Sequence, residues 1–122
     1  MTADVGAVSS ATLEETRHGC EVVVRGRLDV HTVADLRARL HEVLDRGEGD
    51  LLVHLAGAEV GDATGLGVIV GVHHRARQLG RRLVLVDVSP RMDRLLRASR
   101  LHRVLARADG VGGATTVVPL TA

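Results

Sequence analysis

The hexapeptide Asp62-Ala63-Thr64-Gly65-Leu66-Gly67 stands where a short apolar stretch ends and a glycine-spotted apolar stretch begins. It sets a carboxylate and a hydroxyl at the predicted start of a helix. The free N–H groups and the dipole of such a start stabilise an anion, so a phosphate carried on Thr64 would fit electrostatically. Asp29 ends an earlier apolar run. In an open α/β sheet, reacting groups gather at the carboxyl ends of the strands, so the spacing predicts Asp29, Asp62 and Thr64 on one small patch. The same residues admit a plainer reading, in which Thr64 is a helix cap and Asp62 a turn residue.

Other chemistry finds little support. The seven His are scattered, and His73-His74, being adjacent, point to different sides of a helix. The i,i+4 or strand i,i+2 pairs that chelate a metal are missing, so most His are expected in solvent and His54 as a satisfied or half-buried strand residue. Ser89 precedes Pro90 and has a sufficient role as a helix cap. Gly65, Gly67 and Gly71 form Gly-x-Gly-x-x-x-Gly, which misses the dinucleotide fingerprint by one spacing, and no Gly-Lys-Ser/Thr phosphate loop occurs. Gly67 and Gly71, four apart, instead give one helix face able to lie close to a sheet or to accept a partner's backbone. No catalytic residue, metal ligand or cofactor is predicted, and a small nucleotide-binding enzyme is the weakest of the alternatives.

The elements that must position these residues follow from periodicity. The chain of 122 residues is one domain by length. Residues 1–10 and 109–122, small, polar or glycine-rich, are expected as mobile tails around a domain at 11–108. Leu13 to Arg17 and Glu21 to Arg27 read as strands. Thr32-x-x-Asp35 resembles a capping box, and Leu36, Leu40, Val43 and Leu44 behind it form one helix face ending at Gly47. Asp50 to Leu55 reads as a third strand, with Gly57 to Ala63 as the loop that leaves it. Thr64 to Leu79 is a second helix, Leu83 to Val88 a fourth strand, and Ser89-Pro90 opens a third helix. Val104 to Arg107 is a candidate fifth strand. Such alternation predicts βαβ units, parallel central strands and right-handed crossovers.

The hexapeptide resembles the phosphorylation-loop motif of the STAS family (sulfate transporter and anti-sigma factor antagonist domains), usually worded Asp-Ser-Ser/Thr-Gly-Leu-Gly. Gly26-Arg27-Leu28-Asp29 matches the family's Gly-x-Leu-Asp strand ending. Ser89-Pro90 with Leu95-Leu96 and Ser99-x-Leu101 resembles its late helix, so the likeness runs from about residue 11 to 108. It implies the STAS arrangement, a mixed sheet of about five strands with three to four helices mostly on one face. It also implies an anti-sigma factor antagonist that binds a histidine-kinase-like ATPase anti-sigma factor and frees a sigma factor. Partner-binding positions implied are Asp29, Asp62, Ala63, Thr64, Gly65, Leu66, Gly67 and Gly71. The family's phosphoryl acceptor is the residue after the Asp, which is Ala63 here and has no nucleophilic oxygen. Thr64 matches the second hydroxyl position and is the remaining candidate acceptor. The alternative within the fold is a non-enzymatic subunit of a lipid-transport ABC system or of a stress-signalling complex.

Composition agrees with a binding protein. Aromatic residues are absent, so the core must be aliphatic, and all 16 basic residues are Arg. A single cysteine, Cys20, excludes an internal disulfide and fits a reducing compartment. With no leader-like stretch and no apolar run near the ~20 residues of a membrane span, the chain reads as cytoplasmic. Residues 1–61 carry six Arg and 11 acids, a net −5, whereas 62–122 carry ten Arg and four acids, a net +6. Arg91, Arg94, Arg97 and Arg100 step by three along the third helix, either a solvated face or a flank that steers an acidic protein partner. Without strongly basic balance or stacking aromatics, nucleic acid is not the expected partner.

Overall fold

The computed structural model describes residues 11–60, 63–111 and 114–118, with side chains followed over 11–60 and 63–108. Alternating residues build β1 (Ala11–Arg17) and β2 (Glu21–Leu28), whose Ala11, Leu13, Val22, Val24 and Leu28 are buried. The two strands pair antiparallel, with Leu13 opposite Val24. The turn between them uses Gly19 at φ +70°, where a Cβ would lie 2.8 Å from the Cα of Gly47. No side chain fits that contact, so the glycine is required by space as well as by backbone conformation.

Helix α1 (Val33–Arg46) buries Leu36, Leu40, Val43 and Leu44, the face given by their spacing. Strand β3 (Asp50–Val60) runs for 11 residues, well past the expected end at Leu55. Its second half, Gly57–Val60, pairs in parallel with Arg25–Leu28, so most of the expected Gly57–Ala63 loop is strand. The reason is a bulge. Between the pairs Val23–His54 and Arg25–Gly57, β2 advances two residues and β3 three. Burial in β3 consequently changes phase, from Leu51, Val53 and Leu55 to Ala58 and Val60. A strict period of two cannot follow a strand through such a shift.

The remaining elements are α2 (Ala63–Gln78), β4 (Arg82–Val86), α3 (Pro90–Ala98), a 3-10 turn at Leu101–Arg103, β5 (Ala106–Val111) and β6 (Ala114–Val118). The sheet order is β1-β2-β3-β4-β5-β6. Neighbours β2 to β5 are parallel, and the pairs at both edges are antiparallel. Right-handed crossovers that always step to the next strand place every helix on the same face. One core results, in which Leu36, Leu40, Ile69, Val72, Met92 and Leu96 from the helices meet Leu51, Val53, Leu83 and Leu85 from the strands. A smaller cluster of Val84, Val86, Ala106 and Ala108 occupies the other face.

The sheet exceeds the expected five strands by one. β5 and β6 carry residues 109–111 and 114–118, which the sequence reading left to a loose tail. Val111 pairs with Ala114, and β-branched Thr115-Thr116-Val117-Val118 suits a strand. No described helix is long and apolar enough to cross a membrane.

Candidate functional site

The carboxyl edge of the parallel strands is built first by the β2–α1 turn. The Asp29 carbonyl accepts from the N–H groups of Thr32 and Val33, both at 3.0 Å, and its carboxylate accepts from His31 N–H at 2.8 Å. Thr32 is fully buried. Its hydroxyl accepts from Asp29 N–H at 3.0 Å and donates to the Arg27 carbonyl at 2.8 Å. The expected capping box is therefore not formed, and Thr32 makes no side-chain cap. Its hydroxyl is spent locking the turn, while the Asp29 carbonyl takes over a first-turn N–H of α1. Asp29 closes its own Asx-type turn, so its carboxylate serves local geometry before it meets any partner.

Helix α2 is seated against this turn through one glycine. A Cβ on Gly65 would lie 2.9 Å from the Leu28 carbonyl oxygen and 2.9 Å from Val60 Cγ1. Gly65 is thus the close-packing position, and buried Leu66, Val68, Ile69 and Val72 continue the inward face. Gly67 and Gly71 do the opposite of lying on the sheet, because a Cβ on either meets nothing within 4 Å. They face outward, and with exposed Ala63 and Thr64 they make a stripe of small residues that ends at exposed His74. The helix begins at Ala63, so Thr64 belongs to its first turn rather than to the cap position. Asp62 lies outside the described residues, so of the expected convergence the structure gives α2's first turn packed against Leu28, the residue before Asp29.

At the same carboxyl edge an open cavity of about 600 Å³ is lined by Arg27, Asp29, Glu59, Val60, Ser89 and Arg91, among others. Arg27 and Glu59 approach to 3.9 Å, both exposed. Ser89 is occupied as a cap, its Oγ accepting from Met92 N–H at 3.1 Å, with Pro90 opening the helix. Arg27, Glu59 and Arg91 were not singled out for this edge from sequence. Glu59 was hidden by the bulge that made its segment read as loop, and Arg91 appeared only as one member of a stripe. Among the described residues no group of three or more His, Cys, Asp and Glu could hold a metal ion.

A parallel-sheet edge with a glycine-seated helix beside a locked Leu-Asp turn is an architecture with known relatives. The sequence matches the description of the STAS domain over residues 10–114. The chain belongs to the STAS domain family. It is 36% identical over 90 residues to an anti-sigma-B factor antagonist of Staphylococcus epidermidis, covering 74% of this chain and 83% of the relative. The corresponding Staphylococcus aureus protein is 34% identical over the same shares. Among solved structures, unphosphorylated SpoIIAA, an anti-sigma factor antagonist, superposes with a TM-score of 0.67 at 22% identity, covering 84% of this chain and 90% of that one. An anti-sigma factor antagonist from Mycobacterium paratuberculosis gives 0.65 at 22% identity, covering 80% and 85%.

In this STAS domain α3 flanks the edge and is held by an acid. Asp93 binds Arg97 one turn on and Arg107 of β5. The hydrogen bonds from Arg97 and then Arg107 hold the Asp93 carboxyl below the usual carboxylate range. Arg97 is thereby partly neutralised, leaving exposed Arg91, Arg94 and Arg100 as the outward charges of the stripe. His54 is half-buried with its Nε2 on the Glu21 carboxylate, as its place in a strand predicts, whereas His73 is buried rather than solvated.

Proposed function

We propose that this STAS domain is a cytoplasmic anti-sigma factor antagonist. It binds an anti-sigma factor of the histidine-kinase-like ATPase type and thereby frees a sigma factor. The observation that carries the reading is the outward stripe of α2, where Ala63, Gly67 and Gly71 leave the helix backbone open to a partner. The staphylococcal relatives named as anti-sigma-B factor antagonists support the choice of partner. Thr64 on the stripe and Asp29, Arg27 and Arg91 at the carboxyl edge supply polar contacts, and the domain itself performs no catalysis.

Phosphorylation would work against such a contact, since a phosphoryl group adds about −1.5 to −2 charge and bulk to the docking surface. With Ala63 at the acceptor position the binding-competent form is permanent. Adding the purified chain to a preformed anti-sigma factor–sigma factor complex is expected to release the sigma factor on a sizing column, with or without ATP. Retention of the intact complex at saturating chain contradicts the reading. Ala63→Ser is expected to create a site labelled by the partner's kinase activity and to restore ATP-dependent loss of binding. A phosphoryl adduct mapped to Thr64 in protein from its native host would contradict permanent competence.

A further inference from the structure

At the amino edge of β4 and β5, remote in the fold from the carboxyl-edge site, a second cavity of about 540 Å³ is lined by His73, Arg77, Arg81, Arg82, Leu83, Val104 and Ala106. We propose that this cavity binds a small soluble phosphate-class dianion.

The first support is charge that the chain leaves uncompensated. Arg81 is 5% exposed, yet among the described residues its guanidinium meets only backbone carbonyls, those of Gly19, Leu44 and Gly49 at 2.5, 2.7 and 3.0 Å and those of Val43 and Asp50 at 3.4 Å. Carbonyl dipoles satisfy its donors without cancelling its unit charge. Arg82 is paired bidentately with Asp50, at 2.7 and 3.1 Å. Arg77 makes no ion pair among the described residues. Three guanidiniums against one carboxylate leave a net +2 around the cavity, the complement of a dianion. The C-terminal dipole of α2 offsets at most about half a charge, and its end carbonyls already accept from Leu79, Gly80 and Arg81.

The second support is an unpartnered group. His73 is 7% exposed, and its Nδ1 has no hydrogen-bond partner among the described residues. A buried polar atom left unmatched is destabilising, a penalty that an oxyanion accepting from a protonated Nδ1, or a bridging water, would relieve. Burial, then the neighbouring His74 and Arg77, hold the imidazole below its ordinary range. The same surplus of positive charge that opposes the imidazolium attracts an anion. Phosphate is favoured over a carboxylate because its second charge matches the net positive surplus.

An NMR titration of the whole chain with inorganic phosphate, at fixed ionic strength and with acetate and chloride as controls, tests the site. Saturable shifts are expected at the amides of Leu83, Val104 and Ala106. Arg77→Gln should weaken phosphate about tenfold, whereas Arg94→Gln, on α3, should leave it unchanged. Linear shifts reproduced by acetate, or equal affinity in Arg77→Gln, overturn the proposal. Arg77-dependent sedimentation with phosphatidic acid vesicles, in the absence of saturation by free phosphate, would place the phosphate on a lipid and also overturn it.

Discussion

Gly65 stands against the carbonyl of Leu28 so closely that a Cβ at residue 65 would lie 2.9 Å from its oxygen, while Gly67, two residues on, faces open space. The two glycines therefore predict opposite outcomes. Gly65→Ala must displace the start of α2 from β2 and Val60, and is expected to cost about 1–3 kcal/mol. Gly67→Ala meets nothing and relieves the helix of a flexible residue, so it should stabilise by roughly 0.5–1 kcal/mol. Urea unfolding of both variants checks the pair, and a destabilised Gly67→Ala would mean the helix face is assigned wrongly.

Arg81 ties the C-terminus of α1 to the β1–β2 turn and the start of β3 through buried carbonyls. Arg81→Met keeps the apolar stem but strands those acceptors, with an expected loss of about 3 kcal/mol or more. A midpoint within error of the parent would show that water replaces the guanidinium without cost.

The Asp93 carboxyl, lowered by Arg97 and Arg107, gives the domain an acid-sensitive tie between α3 and β5. A carboxyl with a depressed folded pKa contributes stability above its unfolded value of about 3.9, and that contribution fades as pH falls through the folded value. Asp93→Asn should be less stable than the parent at neutral pH. The gap should close toward the acid limit, and a gap independent of pH would count against the ion pairs.

The parts of the fold written in periodicity were legible beforehand. Leu36, Leu40, Val43 and Leu44 defined α1, and Ser89-Pro90 marked the start of α3 with the cap the structure shows. What escaped was set by tertiary pairing. The β3 bulge breaks the alternation at Ala56-Gly57, so Glu59 read as loop although it pairs opposite Arg27. Thr32 satisfied a capping pattern, but the turn behind it offered its hydroxyl a better-placed carbonyl at Arg27. Spacing alone also could not divide three glycines of one helix between a packed face and an open one. Gly65 needed the position of Leu28 to be known.

The central claim, that the open stripe of α2 docks an anti-sigma factor, is tested most directly by Gly67→Arg. A Cβ at this position meets no atom within 4 Å, and Arg replaces a poor helix former with a good one, so circular dichroism and the thermal midpoint should not fall. The measurement is the calorimetric affinity of the parent and the variant for a purified anti-sigma factor that the parent binds. The account predicts at least about a tenfold weakening, roughly 1.4 kcal/mol, in a folded protein. Equal affinity in the two proteins would contradict it.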